Sequence, residues 1–239
     1  MLKFMFLLTC ITIGIHFLVT AKQASKVIPY HVSIRRGSSH LCSGTLIGDK
    51  WILTVADCVY SVKAFPSLTV AVGTLDITKP GETYAVSAIK IHEEYRPNRF
   101  KYNFALLKID GTIQFNDNVT AIPLPDNPTQ EGASVEASGW KLSRDKDRTD
   151  FLQVIKENTI SNYDCIMRHK FYIDEDSILC TDYENGMTES DFFRDHGGPV
   201  VESNKVVGLV ISYVDPYYKL PGFNSKVEAV KDWIQSNMQ

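Results

Sequence analysis

Short apolar or alternating runs recur along most of the chain, at 30–34, 41–47, 51–55, 68–72, 85–91, 105–109, 134–139 and 206–213. Gly, Pro, Asn and Asp punctuate the gaps between them. Runs of that length and spacing predict many short strands, and with them an all-β barrel or sandwich. Two stretches break the alternation. Ser161-Asn162-Tyr163-Asp164 opens like a capping box, in which the serine hydroxyl accepts the N–H three residues on, and predicts a short helix. Near the C-terminus Val227, Val230, Trp233 and Ile234 share one helical face, with Lys226, Glu228, Lys231 and Asp232 elsewhere. The polar stretch 141–150 reads as a solvated loop, and no repeat or low-complexity tract is present.

The first residues follow a different pattern. Lys3, an apolar stretch from 4 to 19 and the close Val19-Thr20-Ala21 describe a secretory signal peptide, residues 1–21, ahead of one domain, 22–239. Thr9, Thr12, Gly14 and His16 weaken the stretch as a membrane anchor, and nothing later reaches spanning length. A secreted protein is therefore expected, without a membrane partner.

Composition narrows the class further. With 44% hydrophobic and 22% charged residues, the 239-residue chain is globular in type and too apolar for disorder. The 25 basic and 28 acidic side chains leave a formal charge of −3 without a basic run, so a nucleic-acid partner is not expected. Of five cysteines, Cys10 leaves with the signal peptide. The remaining four, in an oxidising compartment, imply two disulfides whose pairing the count alone leaves open.

Several ordered motifs then carry a resemblance. Pro29-Tyr30-His31-Val32-Ser33-Ile34 is followed by Leu41-Cys42-Ser43-Gly44-Thr45-Leu46-Ile47 and by Trp51-Ile52-Leu53-Thr54-Val55-Ala56-Asp57-Cys58. Ala105-Leu106-Leu107-Lys108, Ser138-Gly139-Trp140, Asp195-His196-Gly197-Gly198-Pro199-Val200 and Pro221-Gly222 come after in order. From about Val27 to its end the chain resembles a trypsin-like serine protease domain. The resemblance implies two six-stranded antiparallel β-barrels packed face to face, with a C-terminal α-helix. It also implies the bridges Cys42–Cys58 and Cys165–Cys180. Two more family bridges would join the places of Glu136 and Glu202, and the place of Phe192 to the 215–220 loop; both partners are absent in each case.

The family's chemistry needs a serine oxygen, a histidine to take its proton and a carboxylate to hold that imidazole. The family pattern places the histidine at Asp57, the aspartate at Asn103 and the serine at His196, so all three positions are replaced. Arg194 stands where a glycine helps form the oxyanion hole. Ser190 stands at the base of the specificity pocket, Phe192 and Phe193 add bulk, and Val214 replaces a wall glycine. The resemblance therefore implies a filled cleft and a pseudoprotease, not an enzyme. No Ile-Val-Gly-Gly terminus lies among residues 22–28 to pair with Asp195. An unpaired buried carboxylate is costly, and family zymogens pair theirs with a histidine and a serine, here His40 and Ser33. An Asp195–His40–Ser33 network is expected.

Asp57 and His196 are expected side by side as a carboxylate–imidazole pair; two ligands without a third do not make a metal site, and neither metal nor cofactor is expected. Asn118-Val119-Thr120 is an N-glycosylation sequon suited to a surface loop. His31, His92 and His169 show no ligand spacing and read as surface or strand-edge residues. The leading expectation for function is a monomeric secreted binding protein on a protease scaffold. A wholesale-replaced triad without an activation segment resembles the scabies mite inactivated serine protease paralogues, which implies protein partners in host complement and their inhibition. Two alternatives stand beside it: a decoy for protease inhibitors, which needs a substrate-like cleft, and an enzyme with a site rebuilt around His196 or Ser212.

Overall fold

Among the described residues of the computed structural model (22–61, 67–97, 100–140, 150–170, 173–183, 195–212 and 220–239), thirteen short strands build two barrels. The first is made of β2 (His31–Arg36), β3 (Ser39–Gly48), β4 (Trp51–Thr54), β5 (Leu68–Val72), β6 (Glu82–Ile91) and β7 (Ala105–Ile109), closed in the order β2-β3-β4-β7-β6-β5. The second is made of β8 (Ser134–Trp140), β9 (Leu152–Thr159), β10 (Ile178–Tyr183), β11 (Pro199–Glu202), β12 (Lys205–Ser212) and β13 (Gly222–Lys226). Its order is β9-β10-β13-β12-β11-β8, and β8–β9 pairing closes it. β1 (Lys22–Gln23) pairs with β9 at Gln153 and Val154, so the N-terminal segment is stitched to the second barrel before it enters the first. All of the pairings are antiparallel, and closure leaves neither barrel an open edge.

The alternation in the sequence explains which side chains fill the barrels. Along β2, Val32 and Ile34 point into the first barrel, together with Leu68, Val70 and Val72 of β5, and all five are buried. Each such side chain contributes about 1.5–3 kcal/mol by leaving water. The other face of β2, carrying His31, Ser33 and Arg35, is buried as well. A strand buried on both faces places polar groups where only other protein groups can satisfy them. This is the origin of the network described below.

The two helices sit where the sequence places them. In α1 (Asn162–His169) the Ser161 hydroxyl accepts the Asp164 N–H at 3.1 Å, and Lys170, in the left-handed region, ends the helix with its N–H on the Ile166 carbonyl. A 3-10 turn at Val227–Val230 leads into α2 (Lys231–Asn237), with Val227, Val230 and Ile234 buried. Trp233 donates its indole N–H to Glu93 at 2.8 Å, docking α2 on the first barrel. Disulfides join Cys42 to Cys58 and Cys165 to Cys180. The expected signal peptide and nearly all of the polar loop at 141–150 lie outside the described residues. No described helix is long and apolar enough to cross a membrane.

Candidate functional site

Where the barrels meet, Asp195 is buried with three direct polar partners drawn from both, His40, Ser43 and the Trp140 backbone. Its Oδ1 faces His40 Nε2 at 3.0 Å, and the Ser33 hydroxyl lies 2.8 Å from His40 Nδ1. Its Oδ2 accepts the Ser43 hydroxyl and the Trp140 backbone N–H, each at 2.7 Å. His31 Nε2 lies 2.7 Å from Ser43 Oγ and its Nδ1 2.7 Å from the Ser138 hydroxyl. Ser43 has one hydroxyl proton, and it goes to Asp195. His31 therefore donates from Nε2 to Ser43, and Ser138 donates to Nδ1. The ring of His31 meets Trp140 edge-on at 4.9 Å, and that of His40 meets the same indole at 5.2 Å.

The electrostatics follow from burial and pairing. Burial alone would raise the Asp195 carboxyl; the charge and hydrogen bond of His40, with help from His31 and Ser43, outweigh it and hold Asp195 below the ordinary carboxylate range. Burial pushes His31 down to about 4, against the pull of Asp195, so its imidazole is neutral near pH 7. His31 is 2% exposed, which corrects the sequence reading of a surface or strand-edge residue: β2 is covered on both faces. His92 and His169 are half-buried, the first stacked on Tyr102 and the second on Phe223.

The turn after Asp195 is shaped by close approach. Gly197 has φ +82°, and a Cβ there would collide with Thr54 Oγ1 and the Ser43 carbonyl; at Gly198 it would collide with the Ser138 carbonyl. Two glycines thus let the 195–198 turn lie between β3 and β8. Within it, the half-buried His196 gives its backbone carbonyl to the Ser43 N–H at 2.9 Å.

Asp57 lies on a 3-10 turn (Ala56–Cys58) next to the Cys42–Cys58 bridge. Its carboxylate accepts Asn103 Nδ2 at 2.6 Å and the Tyr95 hydroxyl, and its N–H donates to Asn103 Oδ1 at 3.0 Å. Burial, then the Asp57 bond and charge, drives the Tyr95 hydroxyl far above its usual range. The expected Asp57–His196 pair is not among the hydrogen bonds of the described residues: Asn103 and Tyr95 hold the carboxylate instead. Ser190, Phe192, Phe193, Arg194 and Val214 lie outside the described residues, as does the side chain of Ser212. Among the described residues no group of three His, Cys, Asp or Glu is placed to hold a metal ion. Glu136 and Glu202, at the lost bridge, instead meet Lys156 at 3.7 Å and the Thr129 hydroxyl at 2.8 Å.

Two closed antiparallel barrels with a buried aspartate, histidine and serine at their junction define a trypsin-type domain, and the family model for trypsin matches residues 18–234. The chain belongs to the trypsin-like serine protease family. It is 30% identical over 217 residues to trypsin 5G1 of Aedes aegypti, covering 87% of this chain and 79% of that protein. It is 30% identical over 215 residues to trypsin delta of Drosophila melanogaster, covering 87% and 83%. The fold is similar to that of neuropsin, a serine protease expressed in the limbic system of mouse brain, with a TM-score of 0.77, 24% identity, and coverage of 88% of this chain and 95% of that one.

These findings correct the expectation of a protein that is not an enzyme. It rested on Asp57, Asn103 and His196 standing in the family's triad places. Serine, histidine and aspartate are nevertheless joined by hydrogen bonds at Ser43, His31, His40 and Asp195, in a triad-like set, and the relatives named are trypsins. Motif positions could not disclose Ser43 and His31. Both stand on the faces of β2 and β3 that turn away from the interior of the first barrel, and alternation alone reads those faces as solvent-exposed.

Proposed function

We propose that the chain is a secreted trypsin-family hydrolase with a rebuilt active site, in which His196 meets the substrate and the buried set around Asp195 positions it. One observation carries the reading: Ser43 grips the first two residues of the turn, its N–H on the His196 carbonyl at 2.9 Å and its hydroxyl on Asp195 at 2.7 Å. Ser43 is wholly buried whereas His196 is partly exposed, so the imidazole is the group within reach of a substrate. A positioned imidazole takes a proton from water or attacks an activated acyl carbon directly.

The test uses chain 22–239 with an activated ester, a peptide library and a serine-hydrolase probe. Expected is turnover above a boiled control that His196→Ala abolishes and Ser43→Ala lowers with a changed pH profile. No turnover above the control overturns the reading, and a probe adduct on Ser43 would move the nucleophile from His196 to Ser43. Residues 1–21 are read as the secretory signal, so the N-terminal residue of the exported protein is expected to be Lys22. The partners proposed are extracellular proteins. The resemblance to the mite paralogues selects complement components as the first to test, by pull-down from host serum, and their absence from the eluate overturns that choice.

A further inference from the structure

The sequon lies on a turn whose geometry does more than expose it. Asn116 and Val119 exchange both backbone hydrogen bonds, Asn116 N–H to Val119 O at 2.8 Å and Val119 N–H to Asn116 O at 3.2 Å, and the Asn116 side chain caps the Asn118 N–H at 2.8 Å. Asn118 is therefore the third residue of a four-residue turn, with its side chain exposed. Phe115 immediately precedes this isolated bridge and Thr120 immediately follows it, so both flank the turn that carries Asn118. Val119 is buried, whereas Phe115, 50% exposed, and Thr120 face solvent. The Phe115 ring is thus half in water beside the sequon.

We propose that Asn118 carries an N-linked glycan whose first sugar packs on the exposed ring of Phe115 and on Thr120. The sugar's axial C–H groups, which are slightly positive, face the negative π-cloud of the ring, so one turn supplies the acceptor amide, the threonine hydroxyl and an aromatic platform. The donor is a lipid-linked diphospho-oligosaccharide of the secretory pathway. A bond forms between Asn118 Nδ2 and the sugar C1, the C1–O bond to the diphosphate breaks, the amide proton leaves, and the lipid diphosphate departs.

The full chain, secreted from insect cells, tests this. Peptide-N-glycosidase is expected to shift the protein recovered from the medium. Asn118→Gln and Thr120→Ala should abolish the shift, and Thr120→Ser should retain it. Trimming to a single sugar should keep a melting temperature roughly 2–4 °C above that of Asn118→Gln, the scale of one aromatic contact in a chain this size. Phe115→Leu, which keeps the apolar bulk without the π-face, should erase that difference and lower occupancy. Secreted protein without a shift overturns the modification; a shift and a melting difference both unchanged in Phe115→Leu overturn the role of the ring.

Discussion

Two buried titrating residues tilt stability in opposite directions across the same pH range. Glu157 on β9, wholly enclosed, has its carboxyl raised to about 7 by burial, opposed by a hydrogen bond from Thr181 and reinforced by Asp182. Its folded value lies above its unfolded one. The folded state therefore resists ionisation, and stability falls as pH rises from the ordinary glutamate range to about 7, by about 3 kcal/mol in all. His31 is the reverse case: its folded value, about 4, lies below the unfolded one, so stability is lost as pH falls from the histidine range toward 4. That loss is again about 3 kcal/mol when complete. Glu157→Gln is expected to match the parent near pH 3.5, below the unfolded glutamate value, and to exceed it by about 3 kcal/mol at pH 8, read from urea midpoints. His31→Gln should flatten the acid limb between pH 6.5 and 4 relative to the parent; equal slopes would show that His31 is not held neutral.

At the scale of elements, α1 depends on covalent help. Eight residues are too few for a helix stable on its own, and the Ser161 cap contributes about 1 kcal/mol. Cys165, its buried residue, is bridged to Cys180 of β10 across 15 residues. Replacing both cysteines with alanine is expected to cost about 3 kcal/mol and to raise hydrogen exchange selectively in α1, whereas a uniform rise would place the loss in the whole barrel. The twelve barrel strands need no such staple, because each is paired on both sides by barrel closure. Eight of the strands, β2–β8 and β12, were legible as short apolar or alternating runs and both helices as cap and face patterns, since each signal lies within a few residues. β1 was not legible: two residues carry no period, and pairing with β9 alone makes them a strand.

The whole molecule is held across the barrel junction and by its C-terminal return. Bonds cross between the barrels from His31 to Ser138, from Ser43 to Asp195, and from Ser225 to the Asn103 carbonyl at 3.0 Å. α2 leaves the second barrel and docks on the first, with Ile234 fully buried. Ile234→Ala is expected to lower global stability by about 2–5 kcal/mol in a single cooperative transition. Two separate transitions would show that the barrels unfold independently.

Fold class, family and the places of both helices could be read along the chain, because periodicity, caps and ordered motifs are local properties. The arrangement of the site came from folding. His31 and Ser138 are 107 residues apart, and Ser43 and Asp195 are 152 apart, so no window along the chain contains both partners. Motif places alone pointed to a lost triad. Folding β2 between two buried faces brought a serine, two histidines and an aspartate into one hydrogen-bonded set, because polar groups enclosed there have only each other to satisfy them.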